Sequence, residues 1–147
     1  MKAKVVIIIN CFNSALFLEE TIKSLLNQRY EELTLFFVEN KSTDGTINIL
    51  NSYARKYKNI QIHQLKNHLN LVNAREEALE YIEENIKFDF FAFCDSDDLW
   101  DPNWVSTLVE LGKDFDLIYC NGYEFYLDRN RNKILKNVES SLACKKY

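Results

Sequence analysis

Three carboxylates fall within four residues at Asp95-Ser96-Asp97-Asp98, directly after the apolar run Phe90-Phe91-Ala92-Phe93-Cys94. Crowded this closely they repel one another, and something must offset the repulsion. Solvent or a helix N-terminus can do so, and a hard divalent cation does so more fully. Carboxylate oxygens suit Mg2+ or Mn2+ rather than a soft metal. Mg2+ is usually held by one or two carboxylates, with substrate phosphates in its open positions. A metal so placed neutralises charge building on a departing diphosphate. The plainer alternative is that Asp98 and Asp101 only cap the next helix, since Asp101-Pro102 has the form of an N-cap followed by Pro at the first helical position.

The elements that must position this cluster alternate strand and helix. Val5–Ile9, Leu33–Val38 and Phe88–Cys94 are apolar runs of strand length, as in a parallel sheet covered on both faces, and all three are expected as central neighbours. Ile60–Leu65 alternates and reads as a shorter strand. Between them lie helical patterns. One runs to about Gln28 with Leu18, Ile22, Leu25 and Leu26 on one face, capped by Asn13 or Ser14. A second carries Ile47, Leu50, Tyr53, Ala54 and Tyr57, capped by Ser42 or Asp44. A third spans Val72 to Asn85 with Ala74, Ala78, Leu79 and Ile82 inward. After Asp101 come a helix with Val105, Leu108, Val109 and Leu111, a strand Leu117–Cys120, and a hairpin of Tyr123–Leu127 with Ile134–Val138. Repeated strand-helix-strand units predict an α/β fold with a mostly parallel sheet, whose ligands bind beyond the carboxyl ends of the strands. Those ends are Asn10-Cys11, Glu39-Asn40 and Asp95–Asp98. Neither GxGxxG nor GxxxxGK followed by Ser or Thr occurs, so dinucleotide-binding and P-loop readings lose support.

Composition narrows the function class. The 147 residues are 47% hydrophobic and 27% charged, enough for one globular domain with an apolar core. A formal net charge of -4 argues against nucleic acid as a partner. Cys11, Cys94, Cys120 and Cys144 form no CxxC pair and no zinc spacing with the two histidines, which reads as reduced, structural cysteines in a cytoplasmic protein. No apolar stretch approaches the roughly 20 residues of a membrane span. Lys145-Lys146 could touch an acidic membrane surface, which would place the protein peripherally at the inner face. His63 and His68 read as ordinary surface or turn residues.

These residues resemble the family 2 glycosyltransferases with the GT-A fold, from Lys4 to about Val138. The most specific piece, Phe93-Cys94-Asp95-Ser96-Asp97-Asp98-Leu99-Trp100-Asp101-Pro102, looks like the family's DxD motif with its downstream Trp and Pro. Ser42-Thr43-Asp44-Gly45-Thr46 looks like the turn after the second strand, and Phe17–Gln28 like the first helix. Ala74-Arg75 and Asp116-Leu117-Ile118-Tyr119 complete the series. The resemblance implies a three-layer, Rossmann-like sandwich, C-terminally short, binding a nucleotide-diphosphate sugar for transfer to a glycan or lipid-linked acceptor with inversion. It implies that Asp97 binds the metal, that Asp95 contacts metal or ribose, and that Glu39 and Asn40 face the base. Arg75 would hold the nucleotide, and Asn10, Cys11 and Asn13 would line the base and ribose pocket.

The chain departs from that pattern in places. The family's Pro-Thr after the first strand is Asn10-Cys11, its Asp-Asp-Gly is Glu39-Asn40-Lys41, and its Asn-x-Gly before Ala-Arg is His68-Leu69-Asn70. The resemblance also implies a general base in an acceptor-binding half well beyond the DxD. From Asp98 the chain continues only to Tyr147, with Glu124 and Asp128 as the acids of the last hairpin, both read as surface charges. The expectation is therefore a single domain over 1–147 that lacks most of the acceptor-binding part. The alternative function is a donor-binding module without transfer activity of its own. A metal-assisted hydrolase or a purely structural domain is a third reading, which the DxD context disfavours.

Overall fold

A computed structural model describes residues 2–114, 117–119, 122–127, 133–138 and 143–145. The chain divides into two compact units, Met1–Ser106 and Thr107–Tyr147.

In the first unit, β1 (Val5–Cys11), β2 (Leu33–Glu39), β3 (Ile60–Gln64) and β4 (Phe90–Asp95) form one sheet in the order β3-β2-β1-β4. Every neighbouring pair is parallel. Helices α1 (Leu18–Leu26), α2 (Thr46–Ala54) and α3 (Leu71–Asn85) supply the crossovers. Successive side chains of a strand point to opposite faces, so β1 feeds two cores. Val6 and Ile8, with Phe36 and Val38 of β2, pack against Ala74, Ala78 and Ile82 of α3. Ile7 and Ile9, with Leu35 and Phe37, serve the opposite face, that of α1 and α2, where Leu18, Ile22, Leu25 and Leu50 are fully buried. Burying each Ile contributes roughly 1.5–3 kcal/mol, which fits a stretch that is apolar from Val5 to Ile9. The expected α/β three-layer sandwich with a parallel sheet is what forms.

Several local details differ from the sequence reading. The three apolar runs are neighbours, but β4 is the outermost strand of the four, not a central one, and Phe91 is 46% exposed. Apolarity reports a need for burial, and it does not specify which strand ends the sheet. α1 begins at Leu18 without a side-chain cap, because Asn13 sits at φ 51° and the Ser14 carbonyl accepts from the Phe17 and Leu18 N–H groups in a preceding turn. α2 begins at Thr46 with Gly45, not Ser42 or Asp44, at the cap position and without a side-chain cap; from one residue further out Asp44 Oδ1 accepts the Thr46 N–H at 2.9 Å. Asn70 caps α3 by accepting from the Asn73 N–H at 2.9 Å. α4 (Trp104–Leu111) starts later than Asp101-Pro102 suggests, since Asp101 Oδ1 instead accepts from the Asn103 N–H in a turn.

The second unit holds the end of α4, a 3-10 turn (Gly112–Asp114) and four strands. These are β5 (Leu117–Tyr119), β6 (Gly122–Leu127), β7 (Lys133–Val138) and β8 (Ala143–Lys145). β6 and β7 pair antiparallel from Gly122↔Val138 to Leu127↔Lys133, the expected hairpin. Its turn at 129–132 lies outside the described residues, as do Asp128 and Cys120. β8, pairing antiparallel with β5, is a strand the sequence reading leaves out. Among the described residues no helix is long and apolar enough to cross a membrane.

Candidate functional site

Strand order reverses at β1, with β2 and β3 on one side and β4 on the other. In open α/β sheets, ligands bind at the carboxyl ends beside such a switch point. There Asn10 lies in register with Val38 of β2 and Asp95 of β4. By strand alternation it shares the α3 face with Val6 and Ile8. Both polar atoms of its side chain are buried and have no hydrogen-bond partner. Arg75, near the start of α3, donates from Nη2 to Asp95 Oδ1 at 2.8 Å, and its guanidinium lies 4.9 Å from the centre of the Phe93 ring. Arg75 Nε is also buried and unpaired. The pair is half exposed, so its own contribution to stability is small, within about 1 kcal/mol. What it does is fix where one oxygen of Asp95 points.

The end of β2 is knitted rather than open. Glu39, 4% exposed, accepts the Ser42 N–H at 2.6 Å and the Lys41 N–H at 3.3 Å. Lys41 stands where the related pattern has Gly and keeps the left-handed φ of 61° that Gly adopts freely. Asn40 spends both halves of its amide on Leu69: Nδ2 donates to the carbonyl at 2.7 Å and Oδ1 accepts the N–H at 2.8 Å. Each half keeps one further hydrogen-bonding site, since Nδ2 carries two hydrogens and Oδ1 two lone pairs. Asn13 Oδ1 accepts the Thr43 N–H at 2.8 Å, and the Asn13 N–H donates to Ser42 Oγ at 3.1 Å. Cys11 is fully buried, and burial followed by the nearby Glu39 charge pushes its thiol far up. Its side chain can neither line a solvent pocket nor act as a nucleophile. Cys94, buried beside the same acidic edge, is likewise held protonated.

In the acidic loop, Asp95 and Asp97 are exposed. Arg75 takes one oxygen of Asp95, and among the described residues no hydrogen bond or ion pair takes the Asp97 carboxylate. Asp98 closes the turn: its Oδ2 accepts the Asp95 N–H at 3.3 Å and its N–H donates to the Asp95 carbonyl at 3.1 Å. Asp98 is exposed as a residue, but partial shielding of its carboxyl raises it, that hydrogen bond lowers it, and the charges of Asp95 and Asp97 raise it further. Asp98 and Asp101 thus close turns rather than capping α4 as the plainer reading has it, and among the described residues the Asp97 carboxylate has no such bond. Among the described residues no three His, Cys, Asp or Glu groups converge on one point. The oxygen donors on offer are Asp97 and the second oxygen of Asp95. That set fits a cation of the Mg2+ type, which takes one or two carboxylates and completes its shell with phosphate and water.

Two further residues border this edge. Phe12, 48% exposed, lies with its ring centre 4.3 Å from that of His68, whose Nδ1 donates to the Asn40 carbonyl at 3.1 Å. Neither stands out locally in sequence; only their convergence from the β1 and β3 ends marks them. His63 is a core-side residue instead, 3.4 Å from Glu77 and with its ring centre 4.4 Å from that of Tyr81.

The chain has relatives among known proteins. A processive diacylglycerol beta-glycosyltransferase of Mycoplasma pneumoniae is 27% identical over 140 residues, 92% of this chain and 40% of its own length. A cholesterol galactosyltransferase of Borreliella burgdorferi is 30% identical over 126 residues, 85% of this chain and 34% of that protein. The crystal structure of S. aureus TarS residues 1–349 in complex with UDP superposes with a TM-score of 0.65 at 26% identity, over 74% of this chain and 32% of that one. The chain therefore spans about a third to two-fifths of the length of these relatives. A family model, glycosyl transferase family 2, matches residues 6–146. Nearly the entire chain, from the second residue of β1 past the last strand, lies inside that match, and the protein belongs to glycosyl transferase family 2 with a GT-A fold.

Proposed function

We propose that the carboxyl edge of this sheet binds the nucleoside diphosphate of a nucleotide-sugar donor, with Asp97 and Asp95 holding Mn2+ or Mg2+ against the diphosphate. The sugar would pass to a glycan or lipid-linked acceptor with inversion. The observation that carries the reading is the meeting of Asn10 and Asp95 at the switch point, with an unpaired buried amide on one and a free carboxylate two residues beyond the other. A bound cation would supply charge neutralisation for the departing diphosphate. The residues present do the rest. Asn10 offers a donor and an acceptor to the nucleoside, Phe12 and His68 offer an aromatic surface to a base, and Arg75 holds Asp95 in place. The UDP complex of TarS and the lipid acceptors named for the two curated relatives support the donor and acceptor classes. A cytoplasmic location at the inner membrane face, where lipid-linked acceptors are met, goes with this reading.

A second reading is a donor-binding module that does not transfer on its own, since the chain spans about a third to two-fifths of the length of its relatives.

Thermal unfolding with UDP, GDP, dTDP and CDP, each with and without Mn2+, tests the donor site. A ligand at 100 times its Kd stabilises the folded state by about 2.7 kcal/mol. One of the four should give a metal-dependent shift, and Asp97→Asn should abolish most of it. No metal-dependent shift from any of them at millimolar concentration would remove the claim.

A further inference from the structure

α1 meets the acidic segment through polar groups at helical spacing. Thr21, Ser24 and Gln28 stand three and four residues apart and share one side of α1 and its C-terminal turn. Thr21 Oγ1 donates to the Ser96 carbonyl at 2.9 Å. Ser24 Oγ accepts the Trp100 N–H at 3.2 Å. Gln28 Nε2 donates to the Asp101 carbonyl at 2.7 Å, and its Oε1 accepts the Val105 N–H at 3.1 Å. From the β1–α1 loop, Ser14 Oγ adds a bond to Ser96 Oγ at 2.7 Å. Thr21 is fully buried and Gln28 is 9% exposed.

Apolar residues at these positions would pack a helix against a loop without the desolvation cost that polar groups carry. The polar choice gives partners to backbone groups between Ser96 and Val105 that no strand ladder satisfies. It also supplies from another helix the cap of α4 that Asp101 does not provide. These bonds begin at Ser96, between the two carboxylates assigned to the cation, where like-charge repulsion pushes the chain apart when no cation is bound.

We propose that Thr21, Ser24 and Gln28 are positioning residues that hold the backbone of 96–105 against α1, so that Asp95 and Asp97 meet the cation and diphosphate at a fixed spacing. This rests on the donor-site reading above. A loop held in its binding geometry avoids the cost of being ordered when ligand arrives.

Trp100 and Trp104 are the two tryptophans of the chain, with ring centres 3.8 Å apart inside this segment. Excited at wavelengths where the eight tyrosines do not absorb, tryptophan fluorescence therefore reports on this segment alone. In the full chain, Thr21→Val removes one hydroxyl with little change of shape. Acrylamide quenching of the tryptophans should rise. Mn2+-dependent affinity for UDP, or for GDP if the wild type prefers it, should fall about two- to tenfold, the worth of one hydrogen bond. Binding without Mn2+ should stay unchanged, and Thr21→Ser should restore both properties. Ser24→Ala, at a half-buried position, should repeat the pattern and serves if Thr21→Val folds poorly. Unchanged quenching and unchanged Mn2+ dependence in these variants would overturn the proposal, as would a loss that Thr21→Ser fails to restore. A wild-type chain without Mn2+-dependent nucleotide binding would sink the donor-site reading and the presentation role with it. The quenching comparison would still decide whether α1 holds the segment.

Discussion

Asn10 and Asn40 carry the same amide at the ends of adjacent strands, and their circumstances are opposite. Asn40 satisfies both halves of its side chain on the Leu69 backbone, whereas Asn10 buries both halves with no protein partner. Removing one member of a buried pair costs about 1–3 kcal/mol, because the other is left unsatisfied. Removing an already unpaired amide frees the fold of that cost. Asn40→Leu should therefore destabilise the chain by about 1–3 kcal/mol in urea unfolding. Asn10→Val, of similar volume, should be neutral or stabilising by up to about 1 kcal/mol and should weaken nucleotide binding. Equal losses of stability in the two variants would show that Asn10 is structural and would take it out of the donor site.

At the scale of elements, the carboxyl edge is held by loops bonded to one another. The β1–α1 loop is joined to the β2–α2 turn through Asn13–Thr43, Ser14–Thr46 and Ala15–Asp44. Asp44 is central: it accepts from the Thr46 hydroxyl, the Thr46 N–H and the Ala15 N–H. The Thr46 hydroxyl is the largest influence lowering its carboxyl below the ordinary value, with those N–H groups adding to it. A carboxyl depressed in the folded state contributes stability above its unfolded value, near pH 4, and loses it as pH falls through the folded value. Asp44→Ala should thus cost at most about 1 kcal/mol at pH 7, because the carboxylate is exposed and solvent screens its bonds to the Thr46 and Ala15 groups. The gap between wild type and variant should close below about pH 4. A gap independent of pH down to acid unfolding would mean that the charge of Asp44 contributes nothing.

For the molecule as a whole, binding and transfer separate. On the proposed reading the features assembled at the sheet edge serve a donor, and an inverting transfer would also need an acceptor hydroxyl held in line and deprotonated. General-base help alone contributes typically about 10²–10⁴-fold. With the chain spanning about a third to two-fifths of its relatives, we expect this 147-residue chain to bind a donor and to transfer sugar slowly or not at all. Slow metal-dependent donor hydrolysis can persist, since water needs no acceptor site. A transfer assay with an acceptor panel checks this. Robust multiple turnover would reject the module reading and direct attention to Glu124 and Asp128 as Gln and Asn variants.

By itself the sequence determined the parallel α/β scaffold and the edge where chemistry gathers. Continuous apolar runs such as Val5–Ile9 admit little but doubly covered strands, and hydrophobic periodicity is a local property that a chain displays before it folds. The acidic segment Asp95–Asp98 was visible for the same reason, as residue types at fixed spacing after an apolar run. Tertiary structure decided which of the polar residues there are free to act. Asn40 and Glu39 looked like ligand contacts and are tied into the backbone, Cys11 is sealed away, Asp97 stands open, and Phe12 meets His68 from 56 positions along the chain. The cap of α4 comes from Gln28, far upstream, and among the described residues β4 is an outer strand of its sheet although its composition suits a centre. Hydrogen-bond partners and strand order depend on which segments approach in space. A single sequence records the groups that need partners without recording which partners they find.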